Sequence, residues 1–134
     1  MKAYLSRRYR FSASHRLHSD AMSDAENRAT YGKCNNPHGH GHNYVLEVTV
    51  SGQVDTNGMV CNLADLDECV QREVVARFDV ENLNLSPEFA TSVPTTENLC
   101  LVIYDILKRS FNQAHLEKVR LEETMMNSFE YDGN

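Results

Sequence analysis

The stretch Pro37-His38-Gly39-His40-Gly41-His42-Asn43-Tyr44-Val45-Leu46-Glu47-Val48-Thr49-Val50 holds both the fold and the chemistry of this chain. From His42 onward, Tyr44, Leu46, Val48 and Val50 fall on one face, the two-residue period of a half-buried strand. On such a strand His40 and His42 share a face, so two imidazoles stand close enough to hold one metal ion. His38 and His40 alternate in the same way. The later pair is preferred because it abuts the regular alternation, whereas His38 follows the turn at Pro37 and reads as a loop residue. The competing reading is a flexible Gly-His surface loop with no metal.

On the N-terminal side, residues 2–15 alternate so that Leu5, Tyr9, Phe11 and Ala13 share a face, with Arg7 as an exception and His15 closing the run. Two neighbouring strands would then present His15, His40 and His42 together. Three imidazoles with an open fourth position are the pattern of a catalytic zinc site. Residues 16–41 are rich in Asn, Ser, His and Gly and read as a long functional loop. Within it Cys34 follows Lys33, where a neighbouring cation or a metal would favour the thiolate. Without those neighbours it would be an inert loop cysteine.

On the C-terminal side, Asp55-Thr56-Asn57-Gly58 marks a turn leading to a short return strand at Met59–Cys61. Asn62 caps a helix carrying Leu63, Leu66, Val70, Val74 and Phe78, after which Asp79 reads as a turn residue. Pro94-Thr95-Thr96-Glu97 opens a second helix with Leu99, Ile103, Ile106 and Leu107 on its stripe, ending near Phe111. Val119 and Leu121, then Phe129 and Tyr131, form a final hairpin about Asn127 and Ser128. Glu122 and Glu123 point to opposite faces of that hairpin's first strand. The expectation is an α+β domain over residues 1–134, a four-stranded antiparallel sheet with two helices on one face. Its open edges favour assembly of subunits.

Composition narrows the function. The 134 residues are 41% apolar and 24% charged, ordinary for a globular protein, and the net charge of −6 offers no general field for nucleic acid. No apolar run is long enough to span a membrane, and Met1–Leu5 is followed by Arg7, Arg8 and Arg10 rather than by a signal-peptide core. The expectation is therefore a cytoplasmic protein with no membrane or nucleic-acid partner. Cys34, Cys61, Cys69 and Cys100 lack the pairing of a zinc knuckle and are expected to be reduced.

Taken together, Phe11-Ser12-Ala13-Ser14-His15-Arg16-Leu17, Gly32-Lys33-Cys34-Asn35-Asn36-Pro37 and Gly39-His40-Gly41-His42-Asn43-Tyr44 resemble the 6-pyruvoyl tetrahydropterin synthase family. The likeness continues through Gly58-Met59-Val60, Asn62-Leu63, Asp65-Leu66, Asn82-Leu83, Thr95-Thr96-Glu97-Asn98 and Glu123-Thr124, so it covers nearly the whole chain. It implies the tunnelling fold, in which trimers form a barrel and stack as a homohexamer, with active sites between subunits. It also implies Zn2+ on His15, His40 and His42, Cys34 as catalytic base, Asp79 as part of its relay, and Glu123 as the anchor of the pterin ring. Thr95 and Thr96 would line the pterin pocket. The implied reaction is elimination of triphosphate from 7,8-dihydroneopterin triphosphate, with no external redox cofactor consumed.

One position departs from that pattern. The family's relay is an Asp-His pair, and here Phe78-Asp79-Val80-Glu81 puts valine in the histidine's place. Valine cannot carry a proton, and His38 is the nearest substitute in sequence. Two alternatives follow. The related 6-carboxytetrahydropterin synthase of the queuosine pathway tends to have three residues between its cysteine and its His-Gly-His, a spacing met here at His38 but not at His40. The other is a pterin-binding protein with reduced or altered activity.

Overall fold

The computed structural model describes residues 1–134. Its frame is the pairing of two 14-residue strands, β1 (Lys2–His15) and β2 (His40–Gln53). They run antiparallel in unbroken register from Lys2 opposite Gln53 to His15 opposite His40. β2 carries the next strand, β4 (His115–Thr124), on its other side, with an irregularity at Thr49/Val50, and β4 pairs with β5 (Asn127–Tyr131). These four strands are the expected antiparallel sheet. A fifth, the two-residue β3 (Glu81–Asn82), lies parallel to β1 at its free edge, giving the order β3-β1-β2-β4-β5.

The long helices cover one face of the sheet. Leu66, Val70, Val74 and Phe78 from one, and Leu99, Ile103, Ile106 and Leu107 from the other, join Phe11, Tyr44, Leu46 and Val48 in a single cluster of 25 buried residues. The first helix begins as α2 (Leu63–Val70), passes through a π-helical stretch (Gln71–Val75) and ends as α3 (Ala76–Phe78). The reason is its spacing. Residues 66, 70, 74 and 78 recur strictly every four, so an ideal α-helix would turn its stripe by about 40° at each step. The wider π turn takes up that drift and keeps all four against the sheet. The second helix, α4 (Thr96–Ser110), is capped by Thr95, whose side chain accepts the Asn98 N–H at 3.1 Å.

Three local expectations are corrected. The segment 16–41 is not all loop: it contains α1 (Asp24–Tyr31), closed at its start by a capping box between Ser23 and Glu26, and a 3-10 turn at Gly32–Asn35. No return strand forms at Met59–Cys61, because the Asp55 carboxylate turns the chain by accepting the N–H groups of Asn57 and Met59. The final turn lies at Met125–Met126, and Asn127 and Ser128 already belong to β5.

Candidate active site

The β1–β2 ladder brings the three predicted histidines together. His15 Nε2 lies 3.2 Å from His40 Nε2, which lies 2.9 Å from His42 Nε2, and the three ring centroids are 4.7 to 5.0 Å apart. Tetrahedral ligands at zinc–nitrogen distances would sit about 3.3 Å from one another, so the rings already stand at ligand spacing. His15 is 1% exposed, and its Nδ1 is 2.8 Å from the Pro94 carbonyl. That carbonyl can only accept, so Nδ1 carries the proton and the Nε2 lone pair is free. Burial lowers the pKa of His15 and of His42, which keeps both rings neutral, the form that binds metal. The loop approaches the end of β1 so closely at Gly39 (φ +73°) that a Cβ there would lie 2.9 Å from the His15 carbonyl oxygen, which excludes any larger residue.

Cys34 and Glu123 complete the cluster. Two groups have metal-binding spacing, His15 with Cys34 and His40, and His15 with His42 and Glu123, all ligand atoms of each group lying within 4.8 Å. The turn bearing Cys34 is tied to the end of β1: Leu17 N–H donates to the Cys34 carbonyl at 2.7 Å, and the Asn35 amide donates to the Leu17 carbonyl at 2.7 Å. Burial first, and the Glu123 charge second, raise the Cys34 pKa, so without a cation nearby the group is a thiol. Glu123 shares the inward face of β4 with Val119 and Leu121, its Oε2 3.9 Å from His42 Nε2. It accepts from the Thr96 hydroxyl and, at 3.4 Å, from the Asn127 amide. Glu122 faces away, 4.0 Å from Arg120 Nη1.

The remaining predicted residues are placed differently. Thr96 is buried and touches Glu123, but the Thr95 side-chain oxygen is engaged in capping α4. Asp79 is not joined to Cys34 within the chain. Its carboxylate accepts the Ser12 N–H at 2.8 Å, on the β1 edge where Val80 N–H donates to the Ser12 carbonyl at 2.6 Å. Val80 is 85% exposed at φ +60°, a left-handed conformation that a β-branched residue adopts only under strain. His38 is exposed, and only its backbone is bonded, to the Asn36 side chain. All four cysteines are free, with Cys61, Cys69 and Cys100 buried and Cys100 pushed up to about 12 by burial.

Sequence reasoning used Tyr44 only as a core residue. It is 1% exposed, its ring lies 5.7 Å from that of His42, and its hydroxyl is buried with no hydrogen-bond partner, near Thr96 but not in bonding geometry with it. Burial, and after it the Glu123 charge, hold this phenol protonated. A buried donor without a partner is rare in a folded chain and marks this hydroxyl out from the rest of the core.

Comparison with known proteins agrees with this geometry. The sequence model of 6-pyruvoyl tetrahydropterin synthase matches residues 4–134. The 6-pyruvoyl tetrahydrobiopterin synthase of Poecilia reticulata is 46% identical over 132 residues, covering 97% of this chain and 90% of that protein. That of Homo sapiens is 47% identical over 134 residues, covering 98% and 92%. The solved structure of Caenorhabditis elegans 6-pyruvoyl tetrahydropterin synthase is 44% identical and superposes with a TM-score of 0.95 over 100% of this chain and 97% of that one. The fold is therefore that of a pterin synthase. More narrowly, the chain belongs to the 6-pyruvoyl tetrahydropterin synthase family.

Proposed function

We propose that this chain is a zinc-dependent lyase that eliminates triphosphate from 7,8-dihydroneopterin triphosphate to give 6-pyruvoyl tetrahydropterin. The observation that carries the reading is the convergence of His15, His40 and His42 with Cys34 on one side and Glu123 on the other. The donor set fits zinc: three imidazoles, of which burial favours the neutral form in His15 and His42 and the Pro94 carbonyl fixes the tautomer of His15, and a position left open. When bound, zinc supplies Lewis-acid polarisation of the substrate's side chain. Glu123 accepts hydrogen bonds from ring N–H groups and so fixes the pterin's orientation, with Thr96 holding the carboxylate in place. Cys34 moves protons at the side-chain carbons, for which its half-buried thiol must be brought down towards neutrality by a neighbouring cation. Triphosphate leaves, and hydrogens are redistributed between side chain and ring with no external redox partner.

We read the working unit as a homohexamer, a dimer of trimers. The support is the free β3 edge, where Val80 is exposed and Asp79 is bonded to Ser12 rather than to Cys34, and the exposed Met125 and Met126 in the turn after β4. Four free thiols fit the reducing cytoplasm, and no helix is long and apolar enough to cross a membrane.

Val80 favours a second reading, a pterin binder with slow or altered turnover, because no histidine stands beside Asp79. Incubation with dihydroneopterin triphosphate and mass spectrometry of the products separates the two. 6-Pyruvoyl tetrahydropterin plus triphosphate supports the lyase; bound, unconverted substrate supports the binder; the 6-carboxy product would assign the chain to the related queuosine-pathway reaction.

A further inference from the structure

Residues 16–19 leave β1 directly after His15 and are fixed at both ends by asparagine side chains. Asn84 accepts from the Arg16 N–H at 2.7 Å and donates to its carbonyl at 2.9 Å. Asn27, fully buried on α1, holds Ser19 in the same way, accepting from its N–H at 2.7 Å and donating to its carbonyl at 2.9 Å. The turn that carries Cys34 hangs on this rail. Leu17 N–H donates to the Cys34 carbonyl at 2.7 Å, and Arg16 Nε donates to the Asn35 carbonyl at 3.2 Å. The Asn35 side-chain amide reaches both the Leu17 carbonyl at 2.7 Å and His18 Nδ1 at 3.0 Å.

The last two contacts fix each other's chemistry. A carbonyl only accepts, so the Asn35 group shared by Leu17 and His18 is its NH2, which offers one hydrogen to each. His18 Nδ1 is therefore an acceptor, and the ring proton sits on Nε2, 3.6 Å from the Asp20 carboxylate. Asn35 is buried, so a side-chain N–H left without a partner there would be costly. His18 thus holds the amide in the one orientation that also ties Leu17.

We propose that His18 is a positioning residue for Cys34: by accepting from the Asn35 amide it locks that side chain against Leu17 and so holds the Cys34 turn on the end of β1, with the thiol within 4.8 Å of the ligand nitrogens of His15 and His40. This rests on the reading of Cys34 as the group that moves protons. A reacting group displaced by about 1 Å can lose about a hundredfold in rate, so a side chain outside the cluster can govern turnover through the turn it fixes.

His18→Leu and His18→Asn, made in the full-length, zinc-loaded protein, test the proposal. Leucine offers no acceptor, whereas asparagine puts its side-chain oxygen where Nδ1 stood. In His18→Leu, hydrogen exchange at the Leu17 amide, which is bonded to the Cys34 carbonyl, quickens about threefold to tenfold, the scale of one neutral hydrogen bond. In the same variant kcat for triphosphate release from 7,8-dihydroneopterin triphosphate falls at least about tenfold, with KM and zinc content unchanged. His18→Asn restores both readouts. In a Cys34→Ala background His18→Leu costs nothing further, because it acts through the thiol. Wild-type kcat in His18→Leu, with or without faster exchange, overturns the positioning role and leaves the reading of Cys34 standing if Cys34→Ala is slow. His18→Asn as impaired as His18→Leu, or a full further loss in the Cys34→Ala background, also overturns it. Undiminished turnover in Cys34→Ala overturns the reading of Cys34 and the positioning role with it.

Discussion

His15 and His40 are register partners at the end of the β1–β2 ladder, and their Nε2 atoms stand 3.2 Å apart. The histidine cluster is thus a property of strand register. Side chains alternate along a strand, so a slip of one residue would turn His15, together with Phe11 and Ala13, to the opposite face from His40 and His42 and dismantle the cluster.

The same register brings His42, and not His38, into the cluster. His42→Ala should lose zinc, whereas His38→Ala, changing an exposed loop side chain, should keep one zinc per chain. Metal analysis of both purified variants decides the matter. Zinc retained in His42→Ala and lost in His38→Ala would move the site two residues upstream.

Glu123→Gln should bind neopterin at least about tenfold more weakly, because a carboxylate that accepts from ring N–H groups is replaced by an amide with one acceptor. Glu122→Gln should bind as wild type, since Glu122 lies beside Arg120 on the other face. The reverse result in titration calorimetry would reassign the anchor.

Tyr44→Phe removes a buried hydroxyl that has no partner. Loss of an unpaired polar group should leave thermal stability unchanged or slightly raised, within about 1 kcal/mol, while neopterin affinity falls several-fold. A clear drop in melting temperature with unchanged affinity would show that the hydroxyl serves the fold rather than the ligand.

Much of this was legible in the sequence because burial here is mostly apolar and periodic. β1, β2, the helices and the final hairpin each announce a face, and the three histidines sit where those faces end. α1 was not, since its buried residue is Asn27, whose amide donates to the carbonyls of Ser19, Met22 and Ser23. Ser23 and Glu26 were its only local signal. β3 is two residues held by Asp79 and Val80 against Ser12, too short for any pattern to reveal. Tyr44 carries the alternation of a core strand, and nothing in sequence separates its ring from its buried, unpaired hydroxyl.

Asp67 gives a pH dependence. Hydrogen bonds from Arg7, and then from Tyr9 at 2.7 Å, hold its carboxyl below the ordinary range. A depressed carboxyl stabilises the fold above its unfolded-state pKa of about 3.9 and loses that contribution as pH falls through the lower folded value. The stability difference between wild type and Asp67→Asn should be modest, constant above about pH 5, and should shrink below about pH 4. Chemical denaturation at several pH values measures it; a difference that widens in acid would contradict the assignment.

Most direct is the rate of triphosphate release from 7,8-dihydroneopterin triphosphate by wild type and Cys34→Ala, with zinc measured in the same samples. Wild type should turn over, and Cys34→Ala should keep its zinc yet lose at least about a hundredfold in rate, the scale of a missing general base. Undiminished release by zinc-loaded Cys34→Ala would contradict the account, for the thiol poised beside His15 and His40 would then have no part in the chemistry.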